Sequence, residues 1–185
     1  AVAAGHGVSH LRGEDGGSPH KQALHAAHCA LCATAADVTG VDPAPDMRAM
    51  TRAAAPAARV VDGMAPGLPF DDDSFDLVTA DFVLDHAGDP RAALTDIVRV
   101  ARPGGAVATT IWAPDTMLSR IWARVAAESR ARPVHRHRLP EHLDFARTGT
   151  GLAGMLDMAG LRDVEVHTVA WLADTEPEGL WAAPA

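Results

Sequence analysis

The run Val38-Thr39-Gly40-Val41, followed at once by Asp42-Pro43-Ala44-Pro45-Asp46-Met47, most narrows the folds open to this chain. It reads as a short buried strand that ends on a carboxylate and turns into a helix, Pro45 to Ala54, with Asp42 or Pro43 near its start. The same alternation continues downstream. Arg59-Val60-Val61 reads as a second short strand. Phe75 to Phe82 reads as a third, where Leu77, Val78 and Ala80 form the near-continuous apolar run of a strand buried on both faces. Asp89 stands at a helix cap and Pro90 at the first helical position. Leu94, Ile97 and Ala101 then recur at helical spacing until Pro103-Gly104-Gly105 stops the helix. Ala106 to Trp112 is a fourth strand, and Asp115 caps a helix with the apolar face Leu118, Ile121, Trp122 and Val125. Leu152, Met155, Leu156 and Ala159 mark a further helix, closed by Gly160. Val164, Val166 and Thr168 alternate with Glu165 and His167, which predicts a half-exposed strand over Asp163 to Trp171. Alternating strands and helices imply an α/β fold: a mostly parallel sheet, right-handed crossovers and helices on both faces.

Composition bounds the function. A length of 185 residues suffices for one domain with its own core, and we read 1–185 as one unit. With no tyrosine and 4% aromatic residues, that core is expected to be Val, Leu, Ala and Met. A formal charge of −8 argues against a general nucleic-acid binder, because phosphate neutralisation needs surplus Lys and Arg. No apolar run approaches the roughly 20 residues of a membrane span. No charged-then-apolar leader is visible, so the expected location is cytoplasmic, with no membrane partner. The oligomeric state is not legible.

An acid at the carboxyl end of the second strand of an open α/β sheet can hydrogen-bond both hydroxyls of a nucleoside ribose; it can equally cap a helix. Two further segments stand at telling intervals from Asp42: Leu68-Pro69-Phe70 through His86, and Arg102-Pro103-Gly104-Gly105 through Trp112. Together the three resemble the core of a class I S-adenosylmethionine-dependent methyltransferase of the small-molecule type, with a Rossmann-like fold. The resemblance runs from about Asp37 to Pro114 and more loosely to Trp171.

That resemblance implies S-adenosylmethionine as cofactor and methyl transfer to oxygen, nitrogen or carbon of a small organic acceptor. It implies that Asp42, with Pro43 beside it, holds the ribose. Met47 then lies near the adenine, or is ordinary helix–sheet core. Gly63-Met64-Ala65 flanks the adenine where the family commonly has Gly-Asp-Ala. Met64 replaces that acid, and Asp62 lies two positions earlier. Asp81 and Phe82 line the donor end. His86 is the candidate catalytic base, since imidazole titrates near neutrality; its alternative is a turn-forming histidine. Asp46 reads as a solvated first-turn acid, and Asp71-Asp72-Asp73 as a solvated turn without a metal. Little more is demanded of the protein, because the donor is already activated and catalysis is mainly alignment and exclusion of water.

Residues 1–35 differ in texture. They hold five of the ten histidines and both cysteines. His20, His25, His28, Cys29 and Cys32 offer metal-ligand types, but on a helix they fall on adjacent faces and lack two well-separated ligand pairs, so no metal is expected. The family's glycine loop lies about 20 residues before the acid, and no glycine occurs between His20 and Ala26. Val8 to Leu11 is a poor strand for Gly13, Gly16 and Gly17 to follow. Three accounts stand: a loop at Gly13–Gly17 with a longer helix behind it, a degenerate relative, or a start read in a shifted frame. Under the last, the first strand of the sheet is missing, and both ends read as cut short. Ser129 to Thr150, with Arg130, Arg132, His135, Arg136, His137 and Arg138, reads as part of a lid-like insertion over 115–150. The main alternative function is a catalytically silent methyltransferase-like module that binds a metabolite or a protein.

Overall fold

The computed structural model describes residues 8–10, 37–113, 117–129 and 139–169. In chain order the elements are β1 (Val8–His10), β2 (Val38–Val41), α1 (Pro45–Ala54), β3 (Arg59–Val61), β4 (Phe75–Asp81), α2 (Pro90–Val100), β5 (Ala101–Thr110), α3 (Met117–Ser129) and α4 (Gly149–Met158). The strands form one sheet in the order β3-β2-β1-β4-β5. All four pairings are parallel. From β1 the chain steps outward to β2 and β3, then returns to β1's other side for β4 and β5. Right-handed crossovers in those two directions place α1 and α2 on opposite faces, and the reversal creates a crevice at the carboxyl ends of β1 and β4.

The expectation of a missing first strand is wrong. Val8–His10 is the central strand, aligned with Val38–Gly40 of β2 and with Leu77–Thr79 of β4. Three residues with one apolar side chain carry little strand propensity of their own; neighbours on both sides supply the ladder instead. Gly13, Gly16 and Gly17 therefore come after a strand in the sequence. These glycines, and the His/Cys group, lie outside the described residues.

Punctuation explains the helices. Pro45 opens α1. Asp89 Oδ1 accepts the Ala92 N–H at 2.9 Å and Pro90 follows in the first turn of α2. Ala93, Leu94, Ile97 and Val100 of α2 are buried against Val78 and Ala80 of β4 and join Val83 and Leu84 in one cluster. The fourth strand starts earlier than its sequence suggests and stops at Thr110. Phe75 pairs with Ala101 and Leu77 with Ala106, so residues between bulge out of the ladder. Gly105 is required there, since a Cβ would lie 2.8 Å from the Asp76 carbonyl oxygen.

The Leu68-Pro69-Phe70 turn is fastened to α2 rather than folded on its own. Asp96 Oδ2 accepts the N–H groups of Gly67 and Leu68 at 2.6 and 2.7 Å. Arg99 donates to the carbonyls of Phe70 and Leu68 and pairs with Asp72 and Asp96. Hydrogen bonds to Asp72 and then Asp96 raise the guanidinium pKa above its ordinary value. The folded value being raised, this contribution is complete below the unfolded pKa and is lost only as pH rises through the folded one, at extreme alkalinity. Asp96→Ala leaves the Leu68 N–H without its acceptor and is expected to destabilise the fold by about 1–3 kcal/mol in urea titration.

Beyond β5 three segments bear on the sequence reading. Ile121, assigned to the apolar face of a helix, is 41% exposed. The segment 139–148, read as part of a lid-like insertion, places Phe145 in the main core. Val164 to Val169 forms no strand; its alternating pattern has no ladder partner among the described residues, and Val169 is 76% exposed. In α4, by contrast, the Thr148 hydroxyl accepts the Gly151 N–H at 3.1 Å, Leu152, Met155 and Leu156 are buried, and Gly160 follows at φ +88°. Arg130 to Arg138 lie outside the described residues. Among those described, no helix is long and apolar enough to cross a membrane.

Candidate active site

Parallel pairing brings the carboxyl ends of the strands to one edge, and the sequence-predicted residues divide there into two groups. The first follows β2 and β3. Asp42 is 1% exposed. Its N–H reaches the Val61 carbonyl at 3.3 Å, and its Oδ1 accepts the Ala44 N–H at 2.8 Å. This local turn fixes the carboxylate before the helix. Asp42 does not cap α1, whose cap position is Ala44 without a side-chain bond. Pro43 is half-buried beside it, Met47 is buried in α1, and Asp46 is exposed in the first turn.

The loop after β3 carries Gly63, Met64 and Ala65. A side chain at Gly63 would meet Pro69 Cδ at 2.8 Å and Val41 Cγ1 at 3.0 Å, so glycine lets this loop lie against the end of β2. Met64 is half-buried and Ala65 is buried. Asp62, the acid nearest the family's adenine position, pairs with Arg48 at 3.1 Å.

The second group follows β4 and β5. Asp81 Oδ1 accepts from the Thr110 hydroxyl at 3.2 Å. Phe82 turns out of the strand at φ +56°, a backbone state uncommon for a bulky residue and frequent at functional edges. Its N–H reaches the Thr110 carbonyl at 3.0 Å. Its ring stacks on Trp112, with centroids 4.4 Å apart and planes 16° from parallel. His86 is half-buried in the same loop, and its N–H closes a turn onto the Val83 carbonyl at 3.0 Å. One strand, β1, separates the two groups, a gap of about 10 Å at ordinary strand spacing.

Sequence reading missed three participants. Asp85 Oδ2 accepts the Trp112 N–H at 2.7 Å, and Asp85 Oδ1 lies 3.6 Å from Arg147 Nε. Arg147 also pairs with Asp144, donates to the Phe145 carbonyl and covers the Phe145 ring. Asp85 thus ties the β4 edge to β5 and to the segment before α4. Arg48 is the third. Each makes contacts to main chain or to distant loops, which leave no local pattern.

Residues 22–109 match the family model described as a methyltransferase domain. Among curated proteins, the chain is 39% identical over 106 residues to a malonyl-[acyl-carrier protein] O-methyltransferase of Halorhodospira halophila, covering 55% of this chain and 35% of the relative. It is 32% identical over 140 residues to a demethylmenaquinone methyltransferase of Beutenbergia cavernae, covering 69% and 58% respectively. The chain is similar over residues 22–109 to a methyltransferase domain, on the fold of class I S-adenosylmethionine-dependent methyltransferases. It thus spans about one third to three fifths of those two relatives' lengths. Solved structures agree on the methyltransferase fold. A SAM-dependent methyltransferase of Thermotoga maritima superposes with TM-score 0.57 at 23% identity, over 86% of this chain and 65% of that one. A structure of the Haloferax volcanii Trm112 methyltransferase activator in complex with a methyltransferase gives TM-score 0.66 at 24% identity, over 95% and 69%. S-adenosylmethionine is the cofactor of the methyltransferase family, and the donor set at this edge suits it. A buried carboxylate such as Asp42 can accept vicinal hydroxyls, and the stacked Phe82–Trp112 pair offers apolar surface at the same edge of the sheet.

Proposed function

We propose that the chain transfers a methyl group from S-adenosylmethionine to oxygen, nitrogen or carbon of a small organic acceptor, not of a nucleic acid. The observation that carries this reading is Asp42, buried and oriented at the carboxyl end of β2, one strand away from the crevice at β1 and β4. Asp42 and Pro43 would hold the ribose. Met47 and Gly63 to Ala65 would flank the adenine, whose edge meets main-chain groups because Met64 offers no carboxylate. Asp81 and Phe82 would border the donor's amino-acid end. The bound donor supplies a methyl group already activated by a sulfonium. What this chain adds is alignment, a dry wall from Phe82 and Trp112, and a proton acceptor, for which His86 is our candidate. Relatives are named for acceptors as unlike as malonyl-[acyl-carrier protein] and demethylmenaquinone, so the acceptor is left at the level of a small organic molecule.

Calorimetric titration with S-adenosylmethionine and S-adenosylhomocysteine tests the reading. Micromolar binding of both is expected, near −8 kcal/mol. Absence of heat with either at millimolar ligand would favour the silent-module alternative.

A further inference from the structure

The loop bearing Asp42 and the loop bearing Gly63 to Ala65 are joined at one guanidinium. Arg48 leaves the first turns of α1 and points back to the strand ends, only 15% exposed along its side chain. Its Nη1 donates to the Asp42 carbonyl at 2.9 Å and the Pro43 carbonyl at 2.8 Å. The same nitrogen reaches Asp62 Oδ1 at 3.1 Å. Nη1 carries two hydrogens, so three acceptors share them and all converge on one point. An exposed Arg–Asp pair by itself contributes little to stability. The two main-chain carbonyls make this one different, because they belong to the residues that fix where the Asp42 carboxylate sits.

We propose that Arg48 is a positioning residue: it holds the two loops at the separation a nucleoside needs, and so sets donor affinity without touching the donor. This rests on the reading of the edge as the S-adenosylmethionine site. Without Arg48, the Asp42–Ala44 turn keeps its Oδ1 bond but loses the anchor on its carbonyls. Asp62, 71% exposed along its side chain, then no longer ties the β3 loop inward.

The test is calorimetry with S-adenosylhomocysteine and with adenosine on the full chain, its Arg48→Met, Arg48→Lys and Asp62→Asn variants, and thermal melts of each. Arg48→Met is expected to weaken both ligands by the same factor, about tenfold, since the nucleoside half is what the two share. Arg48→Lys should restore part of the loss, as an ammonium also offers several donors. Asp62→Asn should show a smaller loss in the same direction. Hydrogen exchange of the ligand-free protein should quicken in Arg48→Met at residues 42–44 and 62–65 together. Unchanged affinities with a lowered melting temperature would reduce Arg48 to a structural contact and overturn the proposal while leaving the site intact. Should Arg48→Met fail to fold, wild-type affinity in both Arg48→Lys and Asp62→Asn would overturn it equally. A wild-type chain that binds neither ligand would remove the site and this proposal with it.

Discussion

Asp42→Ala is expected to weaken S-adenosylhomocysteine binding by about 1.5–3 kcal/mol, the range for hydrogen bonds to a charged group. The carboxylate is buried, its plane is set by the Ala44 N–H, and it stands at the strand end nearest the β3 loop. Asp46→Ala is the control. It lies four residues along the same segment but is exposed in the first helical turn, and its loss should leave affinity unchanged. Asp42→Asn keeps an acceptor for Ala44 while removing the charge, so it should fall between the two. Thermal melts beside the titrations separate a disturbed turn from a lost ribose contact. If Asp42→Ala binds as tightly as the parent, the ribose contact belongs elsewhere on this edge.

The second large effect concerns the core. Ile97→Ala removes a fully buried side chain from the face of α2 that covers β4. A loss of about 2–5 kcal/mol is expected, covering transfer and the cavity left behind. In urea the midpoint should fall with little change in slope. Val169→Ala, at a position 76% exposed, should stay within about 0.5 kcal/mol. A small effect at Ile97 would mean that α2 does not dock as tightly as its burial implies.

The parts of the fold that announced themselves in sequence are those whose signals are local. α1 and α2 are framed by prolines, with Asp89 capping the second, and β2, β3 and β4 are apolar runs between turn residues. β1 gave no such signal. Val8-Ser9-His10 is a strand because β2 and β4 lie on either side of it, and pairing partners cannot be seen in three residues. Val164 to Val169 shows the converse: a good alternating pattern forms no strand where the described residues offer it no neighbouring edge. The candidate site divides the same way. Asp42, Asp81 and Phe82 were legible as strand-end residues. Arg48, Asp85 and Arg147 act through main-chain groups or across long sequence separations, and no spacing rule reaches from Asp85 to Arg147.

The place of β1 also has a bearing on how the chain matures during translation. His10 is synthesised well before its partner Thr79 in β4. At roughly 5–20 residues per second that interval lasts several seconds. Throughout it, the nascent sheet can offer only the β2 side of β1 a permanent neighbour, and the opposite edge stands open to other chains. Protein yield in cells should therefore respond to translation speed through the codons between these two strands, and to chaperones that shield strand edges, even where the finished fold is unchanged.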